Sequence, residues 1–110
     1  MLNEELNATF AALVDPTRRA ILAQLSRKPG LSISELAKPF AMTLPAVTKH
    51  LGVLCDAGLV KRRKVGRTVY CELVPARLAR AARWIDRTSS FWETRLDNLV
   101  AAMETQRARR

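Results

Sequence analysis

The sequence predicts a mainly helical domain closed by one small β-hairpin, about five helices plus a two-stranded wing. Three observations carry that prediction. Apolar residues recur every three or four positions through most of the 110 residues. Capping signals stand in front of those apolar runs, at Asp15-Pro16, at Ser32 with Glu35, and at Thr43 with Pro45. One stretch alone changes to strict alternation, LVKRRK before Val65-Gly66 and RTVYCELV after it.

Length and charge bound the function before any motif is read. Residues 1–110 make one domain, enough to bury roughly 65% of the unfolded surface. A hydrophobic fraction of 48% excludes a disordered chain, while 19 Lys+Arg against 10 Asp+Glu leave a net charge of +9. That excess favours a polyanionic partner, with nucleic acid first. No apolar run approaches the roughly 18 residues of a membrane span, and MLNEELN lacks the basic start and apolar middle of a secretion signal. A cytoplasmic protein without a membrane partner is expected. Cys55 and Cys71 read as reduced thiols rather than a disulfide framework, although the sequence leaves pairing between them open.

In the first helix Leu2, Leu6, Phe10 and Leu13 form the stripe, and Glu4 and Glu5 sit where the helix dipole favours acids. The second opens on Asp15 and Pro16, carries Ile21, Leu22 and Leu25, and ends at Pro29-Gly30. Arg18 lies near its inward stripe and is expected to be structural. Arg19 points away and is expected to be a solvated charge, with phosphate contact as the alternative. Ser32 and Glu35 form a capping box ahead of Leu36, Ala37 and Phe40, so the third helix is expected to run about two turns. The turn at Ala41-Met42 then leads into the fourth.

The fourth helix, 43–57, is the stretch around which the chain is organised. Thr43 caps it, Pro45 lies in its first turn, and Gly58 can take the left-handed conformation that ends it. At 100° per residue Leu44, Val47, Leu51 and Leu54 share one stripe, opposite Pro45, Ala46, Lys49, Gly52 and Val53, with Thr48 on the flank. An ordinary surface helix shows many charges to water, whereas this face shows small residues and one lysine. Small side chains let a helix lie deep against a partner, and Thr, Ala and Lys can meet base edges, thymine methyls and phosphates in a major groove. The alternative is a second packed face. Two helices joined by a short turn, the second with this face, have the shape of a helix-turn-helix.

In the hairpin, Val69, Cys71 and Leu73 point one way and Thr68, Tyr70 and Glu72 the other, as a ribbon packed on a helical core requires. Lys61, Arg62, Arg63, Lys64 and Arg67 crowd its tip and favour phosphate contact. A solvated edge strand guarded by charge is the alternative. From Pro75 a helical period runs through Leu78, Ala81, Ala82, Ile85, Phe91, Trp92, Leu96, Leu99 and Met103 to about Glu104, some 45 Å at ~1.5 Å per residue. Thr88-Ser89-Ser90 is a possible bend, and Gln106 to Arg110 a frayed tail. A core this small cannot cover that length, so the surplus apolar face of residues 75–104, with Trp84 and Trp92 on it, is expected to meet a second subunit beside the first helix.

DPTRRAIL from Asp15, SISELA from Ser32, LPAVTKHLGVLCDAGLV from Leu44 and the basic hairpin with VGRTVY together resemble the ArsR-type winged-helix transcriptional regulators. The resemblance covers nearly the whole chain, and the order of its parts is more specific than any one of them. It implies a homodimer joined through the first and last helices, with reading helices in successive major grooves of a palindromic operator and repression, often of the regulator's own operon. Carried over residue by residue, it places Thr43, Pro45, Ala46, Thr48 and Lys49 at the groove, and Arg62, Lys64 and Arg67 at the flanking backbone or minor groove. His50, which matches the family's His-Leu pair, is expected to bond backbone or phosphate. Leu6, Phe10, Trp84, Phe91, Trp92, Leu96 and Leu99 fall at the implied dimer interface. Gly52 departs from the Lys, Arg or Gln frequent there, at a cost of about 1 kcal/mol of helix stability relative to Ala.

The cysteine pairs and His-carboxylate sets of the metal-sensing members are missing, and Cys55, Cys71 and His50 lack zinc-ligand spacing, so no metal and no cofactor are expected. A small-molecule inducer is left open. Cys55 and Cys71 could approach across the core as a thiol redox switch, against the simpler reading of two buried small hydrophobes. Without a Gly-rich phosphate loop, a histidine to serve a nucleophile, or paired acids, no catalytic residue is assigned and the chain is read as no enzyme. A reading from another class remains: a winged-helix protein-interaction module docking an acidic partner.

Overall fold

Three of the described helices start where the sequence supplies a side-chain acceptor for the free amides of the first turn. The structure, a computed structural model, describes residues 2–109, with the side chain of Leu2 outside them; Arg110, at the end of the expected tail, also lies outside them. Among the described residues the order is α1 (Leu2–Leu13), α2 (Pro16–Arg27), β1 (Leu31–Ser32), α3 (Ile33–Ala37), α4 (Leu44–Asp56), β2 (Val60–Val65), β3 (Thr68–Leu73) and α5 (Pro75–Ala108). The architecture is a mainly helical winged helix-turn-helix, as the sequence predicts.

The caps form as expected. Asp15 accepts the Arg18 amide at 3.0 Å, and Thr43 Oγ1 accepts that of Ala46 at 3.3 Å. Ser32 and Glu35 satisfy each other's backbone amides at 3.2 Å, both halves of a capping box. α4 closes in a Schellman motif: Gly58 at φ 75° donates to Cys55 O, and Leu59 donates to Leu54 O. That reversal drives Leu59 and Val60 straight into the core.

The core lies between α2, α3, α4 and one face of the sheet. Ile21, Leu36, Val47, Leu51, Leu54, Leu59 and Cys71 are fully buried in it. Leu44, expected on the same stripe as Val47, is instead 50% exposed, because the first turn of α4 projects beyond the elements that cover its later turns. α3 is shorter than expected at five residues, and residues 38–43 form a longer connection to α4.

The wing is a three-stranded antiparallel sheet of order β1-β3-β2, one strand more than expected. β1 is only Leu31 and Ser32, paired with Cys71 and Tyr70. Two residues are too few to show a period. At the hairpin tip Gly66 has φ 62° and Arg67 a negative φ, the sign pattern of a type II′ turn.

α5 is one uninterrupted helix of 34 residues, about 51 Å long. Thr88-Ser89-Ser90 does not break it, and Gln106 to Ala108 remain helical rather than frayed. α1, about 18 Å long, packs on its first half only. Phe10 meets Trp84 edge-on at 5.8 Å, and Glu5 takes a two-pronged bond from Arg80 at 2.6 and 2.8 Å. Beyond that contact α5 runs out of the domain, which measures 75 × 32 × 21 Å. Among the described residues no helix is long and apolar enough to cross a membrane.

Candidate nucleic-acid interface

An α-helix can enter a groove only if its free face is narrow and its backbone is held from behind. α4 is held on three sides. Val47, Leu51 and Leu54 anchor it to the core. Arg77 reaches over from α5 to donate to Ala57 O at 2.8 Å, closing the C-terminal end. On its flank, His50 Nδ1 lies 3.7 Å from Asp15 Oδ2, so the ring turns toward the N-terminus of α2. Within the fold the neighbour of His50 is thus a carboxylate at ion-pair distance, a contact that the sequence reading did not foresee. The Arg18 amide and then the His50 ring hold the Asp15 carboxyl below the usual aspartate range.

Pro45, Lys49 and Val53 are exposed on the opposite face, Thr48 is exposed on its flank, and Ala46 is half-buried. Thr43 is exposed too, with its hydroxyl already engaged as the cap. This is the face that periodicity separated from the core, and it carries one charged side chain in its first two turns.

The wing's five basic residues divide by strand alternation. Lys61 and Arg63 share a face with Glu72, which they meet at 3.6 and 3.0 Å. Arg62 and Lys64 stand on the other face, opposite Cys71 and Val69, and Arg67 lies in the turn. Arg62 folds back against α4 and engages the Cys55 thiol. A Cβ built on Gly52 would sit 3.9 Å from Arg62 Nη2, an ordinary contact, so the guanidinium passes over this position without requiring a glycine there. Gly52 therefore lies under the Arg62 side chain, where the wing meets α4.

Burial pushes both thiols up, and at Cys55 the Arg62 charge only partly offsets it. Protonated thiols are poor nucleophiles, which weighs against the redox reading.

Sequence reasoning placed Arg18 correctly: it donates to Ala12 O at 2.8 Å and Ala11 O at 3.1 Å. Arg19 is corrected. Its Nη1 donates to Leu13 O at 2.6 Å and Val14 O at 2.9 Å, so both arginines close the C-terminal end of α1. The adjacent basic pair directly after an Asp-Pro helix start was the available signal. Of the residues expected between subunits, Leu6 is already buried within the chain at 8% exposure. Trp84, Phe91, Trp92, Leu96 and Leu99 stand open along α5, and Phe10 is half-buried against Trp84.

Comparison with known proteins agrees with this geometry. A family model described as a helix-turn-helix domain matches residues 13–63. The chain is 37% identical to the HTH-type transcriptional regulator Rv2034 of Mycobacterium tuberculosis over 97 residues, covering 88% of this chain and 87% of that one. It is 30% identical to the arsenical resistance operon repressor of Escherichia coli, over 88% of this chain and 83% of that one. A crystal structure of an ArsR family transcriptional regulator superposes with TM-score 0.76 at 43% identity, covering 83% and 93% of the two chains. The homodimeric winged helix-turn-helix DNA-binding domain Mb0332 of Mycobacterium bovis shares the fold at TM-score 0.64 and 22% identity, covering 88% and 86%.

Proposed function

From the premise that this chain belongs to the ArsR family of winged helix-turn-helix transcriptional regulators, we propose that it is a homodimeric, sequence-specific repressor. α4 enters the major groove with Thr43, Pro45, Ala46, Thr48 and Lys49, and the wing lays Lys64 and Arg67 along the flanking backbone or minor groove, while Arg62, expected there from sequence, is turned back to α4. The carrying observation is the contrast between the two sides of α4. One side is anchored by Val47, Leu51 and Leu54, and the other shows small side chains and one lysine beside a basic wing. A duplex carries one negative charge per ~1.7 Å of axis, which suits a chain of net charge +9.

The dimer reading rests on α5. Phe91, Trp92, Leu96, Leu99, Val100 and Met103 are each more than half exposed, an apolar row that α1 is too short to cover. A second copy would bury it and set two reading helices at the spacing of an inverted repeat. Such a dimer on its own promoter would exclude polymerase, an autoregulatory repressor.

The test is binding of the full chain to fluorescent duplexes tiled across its own upstream region, at near-physiological salt with nonspecific competitor. A competitor-resistant complex on one short inverted repeat is expected, its affinity falling steeply with salt. Lys49→Ala should weaken discrimination between sites by about tenfold, and Lys64→Ala should weaken all sites alike. If both variants bind every duplex as the parent does, the roles assigned to helix and wing are wrong.

A further inference from the structure

The side chains that reach bases in a major groove have distinct chemistries. Arg and Lys read guanine, Asn and Gln read adenine in two-pronged bonds, Asp and Glu accept from cytosine, and methyl-bearing side chains pack on the thymine 5-methyl. α4, LPAVTKHLGVLCD, contains no Arg, Asn, Gln, Glu or Ser. Its one acid, Asp56, is its last residue, and its one histidine is turned to Asp15. What it exposes outward is Pro45, the methyl and hydroxyl of Thr48, the Lys49 ammonium and Val53, with Ala46 half-buried beside them. Val53 keeps 37% of its surface open on the outward side, where nothing in the fold covers it. A mostly apolar face that carries the single cation Lys49, on a chain whose wing is also basic, suits a ligand that is anionic outside and methyl-lined within.

Resting on the DNA-reading role proposed above, we infer that α4 recognises its half-site mainly through thymine 5-methyl groups packed on Ala46, Thr48 and Val53, with Lys49 supplying the single cationic contact to a guanine edge. The half-site is therefore thymine-bearing under the helix. Removing one 5-methyl there costs the burial of one carbon, about fourfold in affinity from ~0.8 kcal/mol per buried methylene-sized group.

The experiment takes the full chain, enriches a binding sequence from randomised duplexes, and replaces each half-site thymine of the enriched duplex in turn by deoxyuridine, which lacks only that methyl. The expected result is about fourfold weaker binding at one or more thymines of each half-site, and no change for deoxyuridine outside the footprint. Thr48→Ser keeps the hydroxyl and lacks the methyl on an exposed side chain. It should bind thymine and deoxyuridine duplexes alike at the position Thr48 reads, and Val53→Ala should do the same at its own. Enrichment of a half-site without thymine, or deoxyuridine tolerated at every half-site position, overturns the methyl reading while leaving DNA recognition intact. Failure to enrich any sequence overturns the DNA-reading role itself.

Discussion

Gly58→Ala separates two constraints that the fold places on one residue. Gly58 holds φ 75°, and an added Cβ would lie 2.7 Å from both Cζ and Nη1 of Arg77. The backbone strain of a non-glycine residue there costs about 1 kcal/mol. Moving Arg77 sacrifices its bond to Ala57 O and loosens its 3.6 Å contact with Glu5. A charged hydrogen bond contributes about 1.5–3 kcal/mol, discounted to about 1–2 for a side chain 37% exposed. The sum is about 2–3 kcal/mol, a fall in melting midpoint of about 10–20 °C for a domain of this size. Gly66→Ala is the internal control, with φ 62° and nothing within 4 Å of its Cβ, so it should show only the strain, about 4–8 °C. Circular dichroism melts at one fixed protein concentration would read both, since a dimer's midpoint moves with concentration. In an Arg77→Ala background Gly58→Ala should cost only the strain. If the two glycines respond equally, or the Arg77→Ala background leaves the Gly58 effect at full size, Arg77 does not lock the end of the reading helix.

Gly52→Ala has the opposite sign: the 3.9 Å approach to Arg62 is ordinary contact, so helix propensity should raise stability by about 1 kcal/mol in urea titrations, and a loss would place Arg62 closer to α4 than described. Trp92→Glu should abolish self-association and with it the dependence of the melting midpoint on protein concentration; a variant that still sediments as a dimer removes α5 from the interface. Glu5 is held below the usual glutamate range, first by the hydrogen bond from Arg80. A lowered folded pKa contributes stability above the unfolded value of about 4.3 that is lost as pH falls through the folded one. Glu5→Gln should therefore melt lower than the parent at pH 7, with the gap closing below about pH 4; a gap independent of pH would mean the ion pair does not contribute.

What could be read in advance was local. The caps at Asp15, Ser32 and Thr43, the turn at Gly66 and the buried stripe of Val47, Leu51 and Leu54 each depend on residues within four positions of one another or on a plain period. The parts that escaped reading join distant positions. Arg19 bonds carbonyls of the preceding helix, Glu5 meets Arg80 across 75 residues, and β1 exists only because β3 offers it an edge. Leu44 follows the period and is still exposed, because periodicity assigns a direction without knowing where the neighbours stop.

By itself, then, the sequence determined the order of helices, their ends, the basic wing and the small outward face of α4, since propensity, capping and alternation act along the chain. Tertiary structure alone decided which charges remain available. Glu72 occupies Lys61 and Arg63, Arg62 settles over Gly52, and Asp15 draws His50 inward, because pairing depends on which side chains the packed core brings within a few ångströms. It also decided how much of α5 is left bare, a consequence of a 34-residue helix packed against a 12-residue one.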